Sequence, residues 1–127
     1  MTEEATMATT LEIPYPPSAN RHWRSIGRGR VLLSEDGRRF RSLVAAAWLA
    51  SPSFRPPLMR RLEVTLWLSP PDRRRHDIDN CVKPTLDALG HAGLFGDDEQ
   101  VDVLVVRRGH VVRGGRCVVS VAELADG

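Results

Sequence analysis

Cysteine is scarce in this chain. Cys81 and Cys117 stand apart, with no C-x-x-C pair, so the sequence offers no disulfide framework. No apolar run reaches the roughly 18 residues a membrane span needs, and no basic-then-apolar segment marks a secretory signal. Lysine is nearly missing: of 18 basic residues, only Lys83 is not arginine. The chain of 127 residues is too short for a Rossmann dehydrogenase, a kinase or a nucleotide-sugar transferase. Its 42% hydrophobic content is near the globular norm and too high for a disordered chain. These limits predict one cytoplasmic domain over residues 1–127, with residues 1–6 a flexible start, no membrane segment and no small-molecule cofactor.

The net charge of +2 conceals a segregation. Between Asn20 and Arg75 thirteen arginines face four acids, whereas from His76 to Asp102 seven acids face Lys83 alone. Arginine's planar fork suits phosphate, so the basic stretch points to a polyanionic partner. The alternative is a solvated arginine-rich surface. A basic region beside an acidic one is the pattern of a metal site next to a phosphate-binding surface.

Read for its elements, the chain predicts an α/β fold of α+β type, a mixed sheet with two main helices packed on it. Met7–Ile13 can form a strand that the prolines at 14, 16 and 17 stop. Ser18–Arg30 reads as a loop and Val31–Leu33 as a short strand. Ser34 is a natural N-cap, with Glu35 and Asp36 in the first turn, for a helix running to about Ala50. Its spacing buries Phe40, Leu43, Val44 and Ala47, sets Trp48 alongside and exposes Arg38, Arg39 and Arg41. Leu62–Leu68 alternates as a strand. A second helix is expected from Asp79, as N-cap, to Ala92, with Val82, Leu86 and Leu89 inward and Gly93 as its stop. Val101–Val106 and Arg116–Val121 read as strands joined in a hairpin through Gly114-Gly115.

The chemistry concentrates in Asp77-Ile78-Asp79. In extended backbone, residues i and i+2 point the same way, so the two carboxylates can face one point. Asp98, after the helix, supplies a third. Hard divalent cations such as Mg²⁺ prefer this oxygen donor set. Lys83, four residues past Asp79, can reach the same place, and together these groups suit phosphodiester hydrolysis. An exposed acidic turn, with Lys83 a surface partner of Asp87, is the competing reading. An EF-hand is excluded, because the twelfth position from Asp77 is Ala88 and the sixth is not glycine. The four histidines lack zinc-type spacing. Arg73, Arg74 and Arg75 are candidate phosphate contacts, and Tyr15 and Trp23 could stack on unpaired bases or simply pack.

The stretch RRRHDIDNCVKPTLDALGHAGLFGDDEQV, from Arg73 to Val101, resembles the RusA family of Holliday junction resolvases. So do IPYPPSANRHWR, from Ile13 to Arg24, and Ser34-Glu35-Asp36-Gly37. The resemblance implies a homodimeric, Mg²⁺- or Mn²⁺-dependent endonuclease that nicks four-way DNA junctions symmetrically, in a bacterium or a phage-infected cell. It assigns metal binding and catalysis to Asp77, Asp79 and Asp98, and an essential lysine to Lys83. DNA contacts then fall to Arg21, Arg24, Arg28, Arg30, Arg73, Arg74, Arg75 and Asn80. His76 departs from the pattern, since an arginine is frequent there. A branched-DNA-binding protein with a decayed nuclease site is the alternative, and a small Mg²⁺-dependent phosphatase leaves the excess arginines idle.

Overall fold

A computed structural model describes residues 8–125, so the expected flexible start at 1–6 lies outside the described residues. Its principal sheet has four strands in the order β1 (Thr9–Ile13), β6 (Arg116–Glu123), β4 (Leu62–Ser69), β5 (Val101–Arg108). A separate two-stranded ribbon pairs β2 (Trp23–Gly27) with β3 (Arg30–Leu33). The helices are α1 (Ala19–His22), α2 (Glu35–Leu49) and α3 (Val82–Ala92). This is the expected α+β class with a mixed sheet, and the ribbon is an addition to it. Among the described residues no helix is long and apolar enough to cross a membrane.

Alternation on the strands builds the core. Leu62, Val64, Leu66 and Leu68 of β4 are all fully buried, joined by Leu11 and Ile13 of β1 and by Cys117, Val119 and Val121 of β6. Phe40, Val44 and Trp48 of α2 close over them with Ala88 and Leu89 of α3. The expected β5–β6 hairpin does not form. β4 lies between those strands, parallel to β5 and antiparallel to β6. A strand–helix–strand crossover through α3 delivers β5 to one edge of β4, as a parallel pair requires, since a hairpin can join only antiparallel neighbours. The following loop is tied across the end of β4, with the Gly109 N–H donating to the Leu68 carbonyl and Val112 to Pro70.

Local expectations need four corrections. Ser18–Arg30 is not a loop, since it holds α1 and β2. Leu43 is 44% exposed, because α2 buries a narrower stripe than its composition allows. Arg41 turns inward to an acid on α3. Finally, α3 begins at Val82, after a 3₁₀ turn over Ile78–Cys81, so Asp79 is not its N-cap. The inward face of α3 therefore shifts to Pro84, Thr85, Ala88 and Leu89, with Val82 and Leu86 only half-buried. Ser34 caps α2 as expected, accepting from the Gly37 N–H at 3.0 Å. Gly93 ends α3 in the left-handed region with φ 96°.

Gly37 is required by a close approach. A Cβ there would lie 2.3 Å from the backbone oxygen of His22, where α2 meets α1. Gly37→Ala is expected to destabilise the fold by about 1–3 kcal/mol, since neither backbone can yield easily. Thermal melting of the two proteins checks this; equal midpoints would show that α1 shifts freely.

Candidate active site

The acidic segment is carried on a braced loop. After β4, the Asp72 carboxylate pairs with His76 at 2.8 Å and accepts the Arg74 N–H at 2.9 Å. These contacts, His76 foremost, hold its carboxyl below the ordinary aspartate range. His76 is thereby folded back against the loop, its ring edge-on to Tyr15 at 5.8 Å. Asp77 follows in extended backbone, then the 3₁₀ turn carries Asp79 and Asn80. Ile78 packs against the core and Cys81 is buried, so the turn is anchored by its apolar residues. The Thr85 hydroxyl donates to the Cys81 carbonyl at 2.6 Å and fixes the start of α3. Asp77, Asp79, Asn80 and Lys83 are left facing solvent.

Asp98 opens a second 3₁₀ turn, Asp98–Gln100. Buried Gln100 pins it, donating to the carbonyls of Leu58 and Arg60 at 3.0 and 2.8 Å and accepting from the Asp97 N–H at 2.7 Å. The Asp97 carboxyl is held low, first by the Glu99 N–H and then by a hydrogen bond shared with Asp98. Arg61 takes the neighbouring acids, Glu99 at 3.0 Å and Asp102 at 2.6 Å. Asp98 receives no such partner.

Among the described residues, Asp79, Asp98 and Lys83 make no ion pair, and Asp77 has only a solvent-exposed contact of 3.8 Å with Arg75. The surface-partner alternative for Lys83 fails at Asp87, which is engaged elsewhere. The donor chemistry thus suits a hard cation. The geometry is incomplete: among the described residues no three His, Cys, Asp or Glu side chains gather closely enough to hold a metal ion. The i, i+2 argument for Asp77 and Asp79 does not carry over, because Asp79 sits within a tight turn rather than extended backbone.

The basic residues form a separate projection. Arg24 and Arg30 stand exposed on the β2–β3 ribbon, and Arg28 sits at its tip between Gly27 and Gly29, all three with positive φ. Arg21 pairs with Asp36 at 3.2 Å, while Arg73, Arg74 and Arg75 are exposed on the acidic loop's approach. If the ribbon arginines meet phosphates, the slope of log affinity against log salt should fall by about 0.9 per contact removed. Changing Arg24, Arg28 and Arg30 together to alanine, and titrating binding to a four-way junction at several salt concentrations, measures this. An unchanged slope would place the DNA elsewhere.

A constellation the sequence did not announce fixes the ribbon's base. His22, fully buried on α1, places Nε2 2.8 Å from the Asp87 carboxylate of α3. Arg41 of α2 grips the same carboxylate with two hydrogen bonds of 2.9 Å. Asp87 lies one helical turn beyond Lys83, so the network links the ribbon's root to the helix that carries the lysine. No spacing in the sequence signals it, because the three residues come from three elements. Ser34 adds to the clamp, its N–H donating to the His22 carbonyl at 2.8 Å and its hydroxyl to the Arg21 carbonyl. Trp23 packs edge-on against His22 at 4.4 Å, and the Tyr15 hydroxyl is buried with no hydrogen-bond partner among the described residues, so neither stands free in the manner of a surface stacking residue.

Comparison with known proteins covers nearly the same span. The family described as Endodeoxyribonuclease RusA matches residues 14–122. A crossover junction endodeoxyribonuclease of Enterobacteria phage HK97 is 38% identical over 88% of this chain and 92% of its own length. Its counterpart in Enterobacteria phage 82 is 36% identical over 91% of this chain and 95% of its own. That of Escherichia coli strain K12 is 34% identical over 92% and 96%.

Proposed function

The chain belongs to the RusA family of endodeoxyribonucleases, and on that footing we propose that it resolves four-way DNA junctions by paired nicks on opposed strands. The whole chain would serve as one endonuclease domain, acting in the cytoplasm of a bacterium or a phage-infected cell. The observation that supports this reading is that Asp79, Asp98 and Lys83 make no ion pair among the described residues, and Asp77 only a 3.8 Å contact with Arg75, at or beside two pinned turns and the start of α3. Exposed acids usually find partners where arginine is plentiful, as Glu99 and Asp102 do here.

Asp77, Asp79 and Asp98 would hold Mg²⁺ or Mn²⁺. Bound there, such an ion supplies an acidified water and neutralises charge on the phosphoryl oxygens. The chain's own residues do the rest. Lys83 places a compact ammonium against the negative charge that develops on the phosphate oxygens. Asn80 donates from its amide to a phosphate oxygen, and Arg73, Arg74 and Arg75 hold the backbone on either side. Arg21 and the ribbon arginines Arg24, Arg28 and Arg30 grip a junction arm. A symmetric homodimer presents two such sites for the two nicks.

The second reading, a branched-DNA-binding protein without nuclease activity, is favoured by the absence of a three-carboxylate cluster among the described residues. One assay separates them: labelled four-way, forked and linear DNA incubated with and without Mg²⁺ or Mn²⁺. Cleavage of the four-way junction in the presence of metal is the expected result. Tight junction binding with no cleavage in either metal would establish the binding protein instead. Light scattering at micromolar concentration should give the mass of a dimer, and a monomer with and without junction DNA would remove that part of the proposal.

A further inference from the structure

A cavity of about 540 Å³ opens beside Asp77 and Asn80. Its opposite wall is α2, which contributes Arg39 and Leu43, and its floor comes from the proline-rich segment after β1, with Tyr15 and Pro17. This volume is in the range of clefts that enclose a small ligand, roughly 300–1,000 Å³. We propose that it receives a single unstacked base from the strand being cut, next to the phosphate that is hydrolysed. The proposal rests on the nuclease reading above and deepens it.

The chemistry of the lining selects a base rather than more backbone. A surface that only tracks phosphates needs cations and hydrogen-bond donors throughout. Half of this lining is apolar, with Phe40, Leu43 and four prolines, and half is polar, with Arg21, Arg39 and Arg75; the apolar half suits a flat ring and the cations suit the phosphates on either side of it. Leu43 is the clearest sign, an apolar side chain 44% exposed on the face of α2 that borders the opening. Beside it Arg39 is exposed and has no ion pair among the described residues, so it is available to the phosphate attached to the base. Asp36, also on the lining, is held by Arg21 through Oδ2 at 3.2 Å and offers Oδ1 as an acceptor for a base edge.

A base inside a continuous duplex cannot reach such a cavity, and removing it from the stack costs least where stacking is already interrupted. The branch point of a four-way junction is such a place. Base capture would therefore contribute to choosing junctions over linear DNA, a selectivity that phosphate contacts alone do not provide.

The test fills the cavity from its exposed side. Leu43→Trp adds a large ring at a solvent-facing helix position, where the core is untouched. The cut is first mapped on one junction, and the flanking nucleotide is then replaced by an abasic site in a second. Leu43→Trp should cut the intact junction at least about tenfold more slowly than wild type, bind it within about threefold, and recover on the abasic junction. Leu43→Phe, a smaller ring at the same position, should show the same rescuable defect in weaker form, so the result does not hang on one variant. With Ca²⁺ present to limit cleavage, 2-aminopurine at the flanking position should brighten on binding wild type and not on binding Leu43→Trp. Both variants cutting the intact junction at the wild-type rate would overturn the proposal, as would a defect that the abasic site leaves unrelieved. A change in oligomeric mass on filling the cavity would also overturn it, by making the cavity a seat for a second copy of the chain. If wild type cuts no junction at all, the nuclease reading itself falls, and this inference with it.

Discussion

Asp79→Asn is expected to lower junction cleavage by a factor on the order of 10²–10³ or more while leaving the fold and the junction affinity nearly intact. The side chain keeps its volume and loses its charge. Asp79 is exposed and makes no ion pair among the described residues, so nothing in the packing depends on that charge. The proposed cation-holding set of Asp77, Asp79 and Asp98, by contrast, would lose one of its three carboxylates. Binding should hold or tighten, since an exposed carboxylate repels the phosphate backbone and the amide does not. Lys83→Ala and Lys83→Arg should behave alike, because the compact ammonium is not replaced by a planar guanidinium. Gel shift and cleavage on one four-way junction, with melting curves for each protein, give the answer. An Asp79→Asn protein that cuts like wild type would dismiss the metal-site assignment. Full activity in Lys83→Ala would reduce the lysine to a solvated surface charge.

The largest stability effect is expected at Asp87. Its side chain is 24% exposed and accepts from Arg41 and from fully buried His22. Burial by itself pushes the carboxyl up, but the hydrogen bonds from Arg41 and His22 outweigh it and hold the group below the ordinary aspartate value. Asp87→Ala leaves the His22 ring with no partner on either nitrogen, since Nδ1 already lacks one. It also strands the Arg41 guanidinium against the α2–α3 contact. Removing one partner of such a pair costs about 3 kcal/mol, which lowers Tm by about 10 °C for a chain of this size. The pH dependence has a definite sign. A depressed carboxyl contributes stability that is fully present above its unfolded value, about 3.9, and is lost as pH falls through its lower folded value. The gap in Tm between wild type and Asp87→Ala should therefore be constant near neutrality and narrow below about pH 4. A gap that is small at pH 7, or that does not change in acid, would show that the network adds little.

This same network connects stability to the reaction. Asp87 sits on α3 one turn past Lys83, and His22 sits at the root of the arginine-bearing ribbon. Loosening it should disturb the spacing between the ribbon arginines and the lysine, so, on the proposed function, Asp87→Ala protein held below its Tm is also expected to cut more slowly.

What the sequence settled by itself is what depends on short spans of chain. The Ser34 cap, the alternation of Leu62, Val64, Leu66 and Leu68, and the Gly93 stop each follow from a few neighbouring residues, and all appear in the structure. The family, too, was legible, because its motifs are contiguous runs such as HDIDNCVKP. Tertiary structure decided whatever needs two distant segments to meet. Strand order was one such matter, since nothing local to Val101–Arg108 says that β4 rather than β6 will be its neighbour. The exposure of Leu43 and the inward turn of Arg41 were others, because helical spacing marks a stripe but not how much of it another element covers. Asp77 and Asp79 show the boundary within a single motif. The residue types announce the chemistry, while the direction of each carboxylate was set by a 3₁₀ turn that the burial of Ile78 and Cys81 stabilises, and that burial exists only once the sheet and helices have closed around it.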